Sequence, residues 1–298
     1  MRLDVKYLRY MSIEEFRVLT AVEQGMKNHA IVPVELIVSI AGLRHGGVHK
    51  MISNLLRAKL VAHDRTKYDG YKLTYLGYDY LALRVFMLRG SISEVGSKIG
   101  VGKESDIYVV KNEEGRHMAL KLHRLGRISF RNIKRKRDYM QHRKHASWLY
   151  MARLAAQKEY AFMQVLHARG FPVPEPIDAN RHCVVMELMD AFPMTQVKTL
   201  GNPGPIYDVM MGLLLRLARH GLVHCDFNEF NLMINGDTRA VTVIDFPQMV
   251  SIDHANAKRY FERDVESIRS FFARQYRHFR DDFPTFSPEL IQSLRVAR

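Results

Sequence analysis

Apolar residues recur at helical spacing in three short blocks at the start of the chain. Ser12-Ile13-Glu14-Glu15 forms a capping box, in which Ser12 accepts from the helix start and Glu15 reaches back, and the helix runs from there to about Gly25. Pro33 opens a second helix with Leu36, Ile37 and Ile40 on one face, and Gly42 closes it. Past Gly46-Gly47 a third carries Val48, Ile52, Leu55 and Leu56 at helical spacing, with Arg57 and Lys59 near its end. Leu60 to His63 and Tyr71 to Thr74 read as two strands, joined by residues 65–70 as a hairpin with an Asp69-Gly70 turn. A helix from Thr74 to Arg89 then leads out of this module.

Three helices and a basic-tipped hairpin resemble a winged helix, a relative of the helix-turn-helix. Nucleic-acid binding and protein contact are both open uses of it, because the presumed recognition helix carries only Lys50, Arg57 and Lys59. Beyond it the pattern becomes that of a sheet. Ile92 to Ile99 and Asp106 to Val110 flank the glycine-rich turn Gly100-Val101-Gly102-Lys103-Glu104-Ser105, and His117 to Leu122 places a single lysine, Lys121, in an otherwise apolar strand. A helix with Leu154, Phe162, Val165 and Leu166 on its apolar side offers Glu159 as the carboxylate such a lysine needs. Cys183 to Met189 is a further strand, and Tyr207 to His220 an apolar helix ending at Gly221. Asn235-Gly236 turns a hairpin between Leu232-Met233-Ile234 and the strand Val241-Thr242-Val243-Ile244, and a last helix spans Ala257 to Tyr276.

Charge sharpens the picture. Lys and Arg outnumber Asp and Glu by 45 to 31 in 298 residues, a formal +14 that calls for a polyanionic partner or substrate. Much of the excess lies between Lys121 and Lys144, where ten Lys or Arg face Asp138 alone. Arg131, Lys134, Arg135, Lys136 and Arg137 are the candidate RNA contacts there, with a solvated helix face as the other reading. Two cysteines, Cys183 and Cys225, are too few for a disulfide framework and lack metal-ligand spacing, which points to a reducing compartment. No apolar run reaches the length of a membrane span, so a cytosolic or nuclear place and no membrane partner are expected.

The chemistry concentrates in His224-Cys225-Asp226-Phe227-Asn228-Glu229-Phe230-Asn231 and in Asp245-Phe246-Pro247 at the end of a buried strand. Two carboxylates and an amide oxygen are hard ligands, suited to Mg²⁺ with phosphates rather than to zinc. Taken alone, the octapeptide also fits a helix cap or a turn. It resembles the protein-kinase catalytic loop H-R-D-L-x-x-x-N followed by D-F-G, with Cys225 in place of Arg and Pro247 in place of Gly. The glycine-rich turn is no Walker A loop, since position 97 is Ser and Glu104 follows Lys103. It resembles a kinase glycine loop whose last glycine has become Ser105.

Jointly, the stretch 100–108, Leu120-Lys121-Leu122-His123-Arg124-Leu125-Gly126, Val185-Met186-Glu187, the octapeptide and Ile244-Asp245-Phe246-Pro247-Gln248 resemble the RIO family of atypical protein kinases, in its winged-helix-bearing branch. The resemblance implies an α+β chain: a winged helix with linker helix over 1–90, then a trimmed bilobal kinase-like domain. Its N-lobe would span 91–189 with a basic insert at about 125–147, and its reduced C-lobe 190–298. It implies Asp226 as catalytic base, Asn231 and Asp245 as metal ligands, and Lys121 as phosphate anchor paired with Glu159. Gly100 to Ser105 would cover the phosphates, and Met186, Glu187 and Met189 would meet the adenine. The family loop usually has Gly between His and Asp, where this chain has Cys225. The implied function is Mg²⁺- and ATP-dependent serine/threonine kinase or ATPase work as a cytoplasmic assembly factor, with nuclear shuttling open, on the maturing small ribosomal subunit, its rRNA and other assembly factors. A small-molecule phosphotransferase and a catalytically weak rRNA-binding factor are the alternatives.

Overall fold

Ser12 accepts the Glu15 N–H at 3.1 Å while Glu15 Oε2 accepts the Ser12 N–H at 3.0 Å, and this reciprocal cap starts α1 (Ile13–Gly25). The computed structural model describes residues 3–43, 47–125 and 148–287. α2 (Val34–Ala41) ends at Gly42 in the left-handed region, φ +56°, a position glycine takes without strain. α3 (Val48–Arg57), β1 (Val61–Asp64), β2 (Gly70–Leu73) and α4 (Tyr75–Leu88, capped by Thr74) complete the winged helix. Val18, Leu19, Val22, Ile37, Ile52 and Leu55 fill its core.

The hairpin departs from the expected Asp-Gly turn. Asp64 pairs with Gly70, so residues 65–69 form the loop and Gly70 lies in the strand. Its glycine has a different reason: a Cβ there would lie 2.5 Å from the Val32 carbonyl oxygen, where residue 32 bridges to Tyr71.

Two compact units emerge, one of Met1–Tyr160 with Pro176–Leu188, the other of Ala161–Glu175 with Met189–Arg298. The first contains an antiparallel five-stranded sheet in the order β3-β4-β5-β7-β6. Its strands are β3 (Glu94–Val101), β4 (Ser105–Lys111), β5 (His117–His123), β6 (Pro176–Asn180) and β7 (Cys183–Glu187). β3 starts and ends two residues later than the expected Ile92 to Ile99, because Gly100 and Val101 pair with Ile107 and Asp106. The turn therefore narrows to residues 102–104. β7 stops at Glu187 rather than Met189, since Pro176 opens β6 opposite Met186 and no ladder continues on that side. α5 (Trp148–Ala168) is the helix that carries Glu159. The basic stretch, including Arg131 and Lys134 to Arg137, lies outside the described residues.

The second unit holds β8 (Phe192–Pro193), α6 (Gly204–Arg219), β9 (Leu222–Val223), β10 (Leu232–Ile234), β11 (Val241–Val243), β12 (Val250–Ser251) and α7 (Ala257–Tyr276). β11-β10-β8 and β12-β9 form its small sheets. The β10–β11 connection is not a two-residue turn but the loop 235–240. Asn235 organises it with its side chain, accepting the Asp237 and Thr238 N–H groups at 3.0 and 2.8 Å, as an asparagine does when it mimics a backbone turn. Among the described residues no helix is long and apolar enough to cross a membrane.

Candidate active site

Alternation along β5 puts Lys121 and His123 on one face, and both reach the same carboxylate. Lys121 Nζ donates to Glu159 Oε1 at 2.6 Å, and His123 Nε2 lies 2.7 Å from Glu159 Oε2. All three are buried, with Lys121 7% and Glu159 1% exposed. A buried ammonium is tolerable only with such a partner. In the same unit the glycine-rich turn leaves little room: a Cβ on Gly102 would stand 3.1 Å from Ser105 Oγ. An added side chain there would require Ser105 to give way by a few tenths of an ångström, whereas glycine leaves the backbone N–H groups open to phosphate oxygens. Met186 is buried on β7 opposite Ala119, and Glu187 pairs with Met118. Met189 is the first residue of the second unit after the strand.

The second group is built on the β10–β11 pair. Leu232 pairs with Val243, and Ile244 N–H donates to the Asn231 carbonyl at 3.0 Å, so Asn231 and Asp245 flank the same end of the hairpin. Asp226 stands in a web of amides. Asn231 Nδ2 donates to Asp226 Oδ2 and to the Asp226 carbonyl, each at 2.9 Å. Asn228 Nδ2 donates to Asp226 Oδ1 at 3.0 Å, and Gln248 Nε2 to Asp226 Oδ2 at 3.2 Å. Because its nitrogen is committed to Asp226, Asn231 presents its carbonyl oxygen as the ligating atom. With the Asp245 carboxylate this is an oxygen donor set that fits Mg²⁺ beside phosphates.

Burial and strain hold the loop. His224 packs edge-on against Phe227 and Phe246, at ring centroid distances of 5.5 and 5.8 Å, and burial pushes its imidazole down to about 4, so it is neutral at physiological pH. Cys225 and Asp245 both take positive φ, +68° and +70°. A left-handed conformation at Cys225 explains why glycine is the residue favoured there in the resembling family. Burial also pushes the Cys225 thiol up to about 12, which leaves it unreactive. Asp264 on α7 clamps the loop by accepting the Cys225 and Phe227 N–H groups.

Sequence reasoning passed over His123, Asn228, Gln248 and Asp264 as site residues. His123 had a signal, its two-residue offset from Lys121 on a strand. Asn228 and Gln248 lie inside the quoted motifs, but only the folded loop shows their amides converging on one carboxylate. Asp264 had none, being one acid in a charged helix.

The chain matches the family profile described as RIO domain over residues 106–285 and that described as Rio2, N-terminal over residues 8–89. It is 56% identical over 297 residues to serine/threonine-protein kinase rio2 of Dictyostelium discoideum, covering 99% of this chain and 57% of that protein. To the rio2 kinase of Schizosaccharomyces pombe it is 52% identical over 285 residues, with coverages of 95% and 82%. The chain thus spans little more than half of the Dictyostelium relative. Among solved structures it is similar to the Rio2 kinase-ADP/Mg²⁺-phosphoaspartate complex of Chaetomium thermophilum, with a TM-score of 0.85, 50% identity, and coverage of 99% of this chain and 89% of that one. With both the N-terminal and the RIO profiles matched in order along its length, the chain belongs to the RIO family, in its Rio2 branch.

Proposed function

We propose that the chain is a Mg²⁺- and ATP-dependent atypical serine/threonine kinase, able to act as an ATPase, that serves late cytoplasmic maturation of the small ribosomal subunit. The observation that carries the chemistry is the Asp226 carboxylate held by the amides of Asn228, Asn231 and Gln248, next to the Asn231 and Asp245 oxygens. Phosphoryl transfer asks for positioning and charge neutralisation more than covalent work by the protein. Lys121 would anchor phosphate oxygens, and Asn231 and Asp245 would hold Mg²⁺, which when bound neutralises charge on the phosphates. Asp226, its orientation fixed by three amides, would align an acceptor hydroxyl or a water and take its proton. The Chaetomium relative was solved with a phosphoaspartate. That supports Asp245 as a carboxylate that itself accepts the phosphoryl group transiently. The ribosomal part of the reading rests on the resemblance to the RIO family, and the net +14 and the basic stretch fit a polyanionic partner such as rRNA.

The test is ligand linkage. Mg-ATP at 100 times its Kd should stabilise the protein by about 2.7 kcal/mol, read as a rise in melting temperature. An unchanged Tm at millimolar Mg-ATP would overturn the nucleotide reading. Co-sedimentation with immature small-subunit particles tests the partner, and its absence would remove the ribosomal half alone.

A further inference from the structure

Within the first unit, a buried ionic cluster outside the nucleotide-contacting residues ties the helix α4 to the glycine-rich turn. Arg124, 2% exposed, grips Asp79 of α4 with both guanidinium arms, Nη1 to Oδ1 at 2.6 Å and Nη2 to Oδ2 at 2.8 Å. Its Nε reaches Asp106 Oδ2 at 3.3 Å, and Asp106 Oδ1 in turn meets Lys98 Nζ at 3.1 Å. The Arg124 backbone N–H donates to the Glu104 carbonyl at 2.6 Å. Lys98 belongs to β3, Asp106 to β4 and Glu104 to the turn between them. Both arms of the glycine hairpin are therefore fastened through Asp106 to the Arg124 guanidinium, and its tip to the Arg124 backbone N–H.

That guanidinium is held from the other side by the winged-helix module. His182, at the turn between β6 and β7, bonds Asp79 at 2.8 Å and stacks on Tyr78 of α4 at 4.4 Å. Burial pushes the His182 imidazole down to about 4, so it adds no charge. Asp79 and Asp106 are fully buried, and the cations Arg124 and Lys98 face them. Burial pushes the Asp79 carboxyl up, but Arg124 and His182 more than offset it and keep it below the ordinary range. Burial likewise works against the charge on Arg124, and Asp79 overcomes it. A buried ion set of this kind seldom adds stability over an apolar one of the same volume, whereas it fixes geometry through directional bonds. Lysine could not replace the fork, which needs several donors in one plane.

We propose that Arg124 is a positioning residue for the glycine-rich turn and that Asp79, by holding it, lets the N-terminal module set how tightly that turn closes on a nucleotide. This rests on the nucleotide reading above, and one arm of the test does not. In the nucleotide-free protein, Asp79→Asn should speed hydrogen exchange of the amides at 98–106 by at least about tenfold while β5 and β7 keep their protection, because only the tether is lost. Mg-ATP affinity should fall about tenfold, as expected when a preorganised loop must be ordered on binding, with kcat at saturating ATP within about twofold of the parent. Arg124→Lys keeps the buried charge but cannot bridge both carboxylates, and should show the same selective loss. It serves also if Asp79→Asn does not fold. Exchange that rises equally across the whole sheet, or unchanged exchange at 98–106, would overturn the proposal and leave the cluster as a fold element only. Were the parent itself not to bind Mg-ATP, the nucleotide reading would fall and the exchange arm would still decide the tether.

Discussion

Asp264 Oδ2 accepts the backbone N–H of Cys225 at 2.7 Å, at the one place in the loop where a non-glycine residue precedes the candidate base in a left-handed conformation. The second oxygen takes the Phe227 N–H at 3.2 Å, and Arg263 donates to the Cys225 carbonyl. Asp226 lies between the two clamped residues, so the backbone that carries it is held by α7 while the amides orient its carboxylate.

Cys225 should tolerate glycine and reject branching. The left-handed region costs an ordinary residue roughly 1–2 kcal/mol, and Cys225→Gly relieves this while losing a small buried side chain and gaining unfolded-state entropy. The net should stay within about 1 kcal/mol of the parent in denaturant unfolding, with turnover retained. Cys225→Val adds a β-branched residue at positive φ and should cost more than about 2 kcal/mol.

The clamp carries a pH signature. Burial pushes the Asp264 carboxyl up to about 7, against the two N–H donors that pull it down. The folded state thus holds this proton more tightly than the unfolded chain does. Its contribution is full below the unfolded value near 4 and is lost as pH rises through about 7. Asp264→Asn leaves one N–H without an acceptor, costing about 1–3 kcal/mol at acidic pH. The Tm gap between parent and variant should then narrow from pH 5 to pH 8. A gap that widens over that range would mean the ionised clamp is the stabilising form.

What the sequence shows of this site follows from locality. Lys121 is legible because a lone cation in an apolar strand demands compensation, and Asp226, Asn231 and Asp245 because their chemistry sits within a loop and at a strand end. Asn235 reads correctly as a turn residue but wrongly as a turn type, and Gly70, read as a turn residue, belongs to the strand. In each case a contact from elsewhere decides: the residue 31–32 segment crowds Gly70, and Asn235 Nδ2 donates to the Asp190 carbonyl at 2.7 Å. The Asp79, Asp106, Arg124 and His182 cluster gathers residues up to 103 positions apart. Each looks like an ordinary surface polar residue until the fold buries it.

The amides around Asp226 should matter in turnover and not in binding. Asn228→Ala and Gln248→Ala each remove one donor from a carboxylate whose orientation they fix, and each should lower kcat about 5- to 50-fold with KM for ATP nearly unchanged. Asp226→Ala should abolish turnover and keep the Mg-ATP stabilisation. Turnover by Asp226→Ala at the parent rate would show that another group is the base.

Replacing Lys134, Arg135, Lys136 and Arg137 together by Ser should flatten the log-log salt dependence of RNA binding by roughly three units, since each phosphate contact contributes about 0.7 to 0.9. Mg-ATP affinity should stay as in the parent. An unchanged salt slope would make the stretch a solvated face.

Lys121 and Glu159 can be separated into structural and chemical shares by a double-mutant cycle. Lys121→Met removes the donor 2.6 Å from Glu159, which is 1% exposed, and breaking a buried pair by removing one partner costs about 3–5 kcal/mol. Glu159→Gln alone takes the carboxylate charge away from the Lys121 ammonium and should cost a similar amount. The pair Lys121→Met with Glu159→Gln removes both charges and should recover most of that loss, a coupling of about 2 kcal/mol or more in urea unfolding. Turnover should not return with stability, because no cation then anchors the phosphates. If the double variant recovered stability and turnover together, Lys121 would be a fold residue and the phosphate anchor would have to be sought elsewhere. If the two losses simply added, the 2.6 Å contact would carry no coupling and Lys121 would answer to another acid.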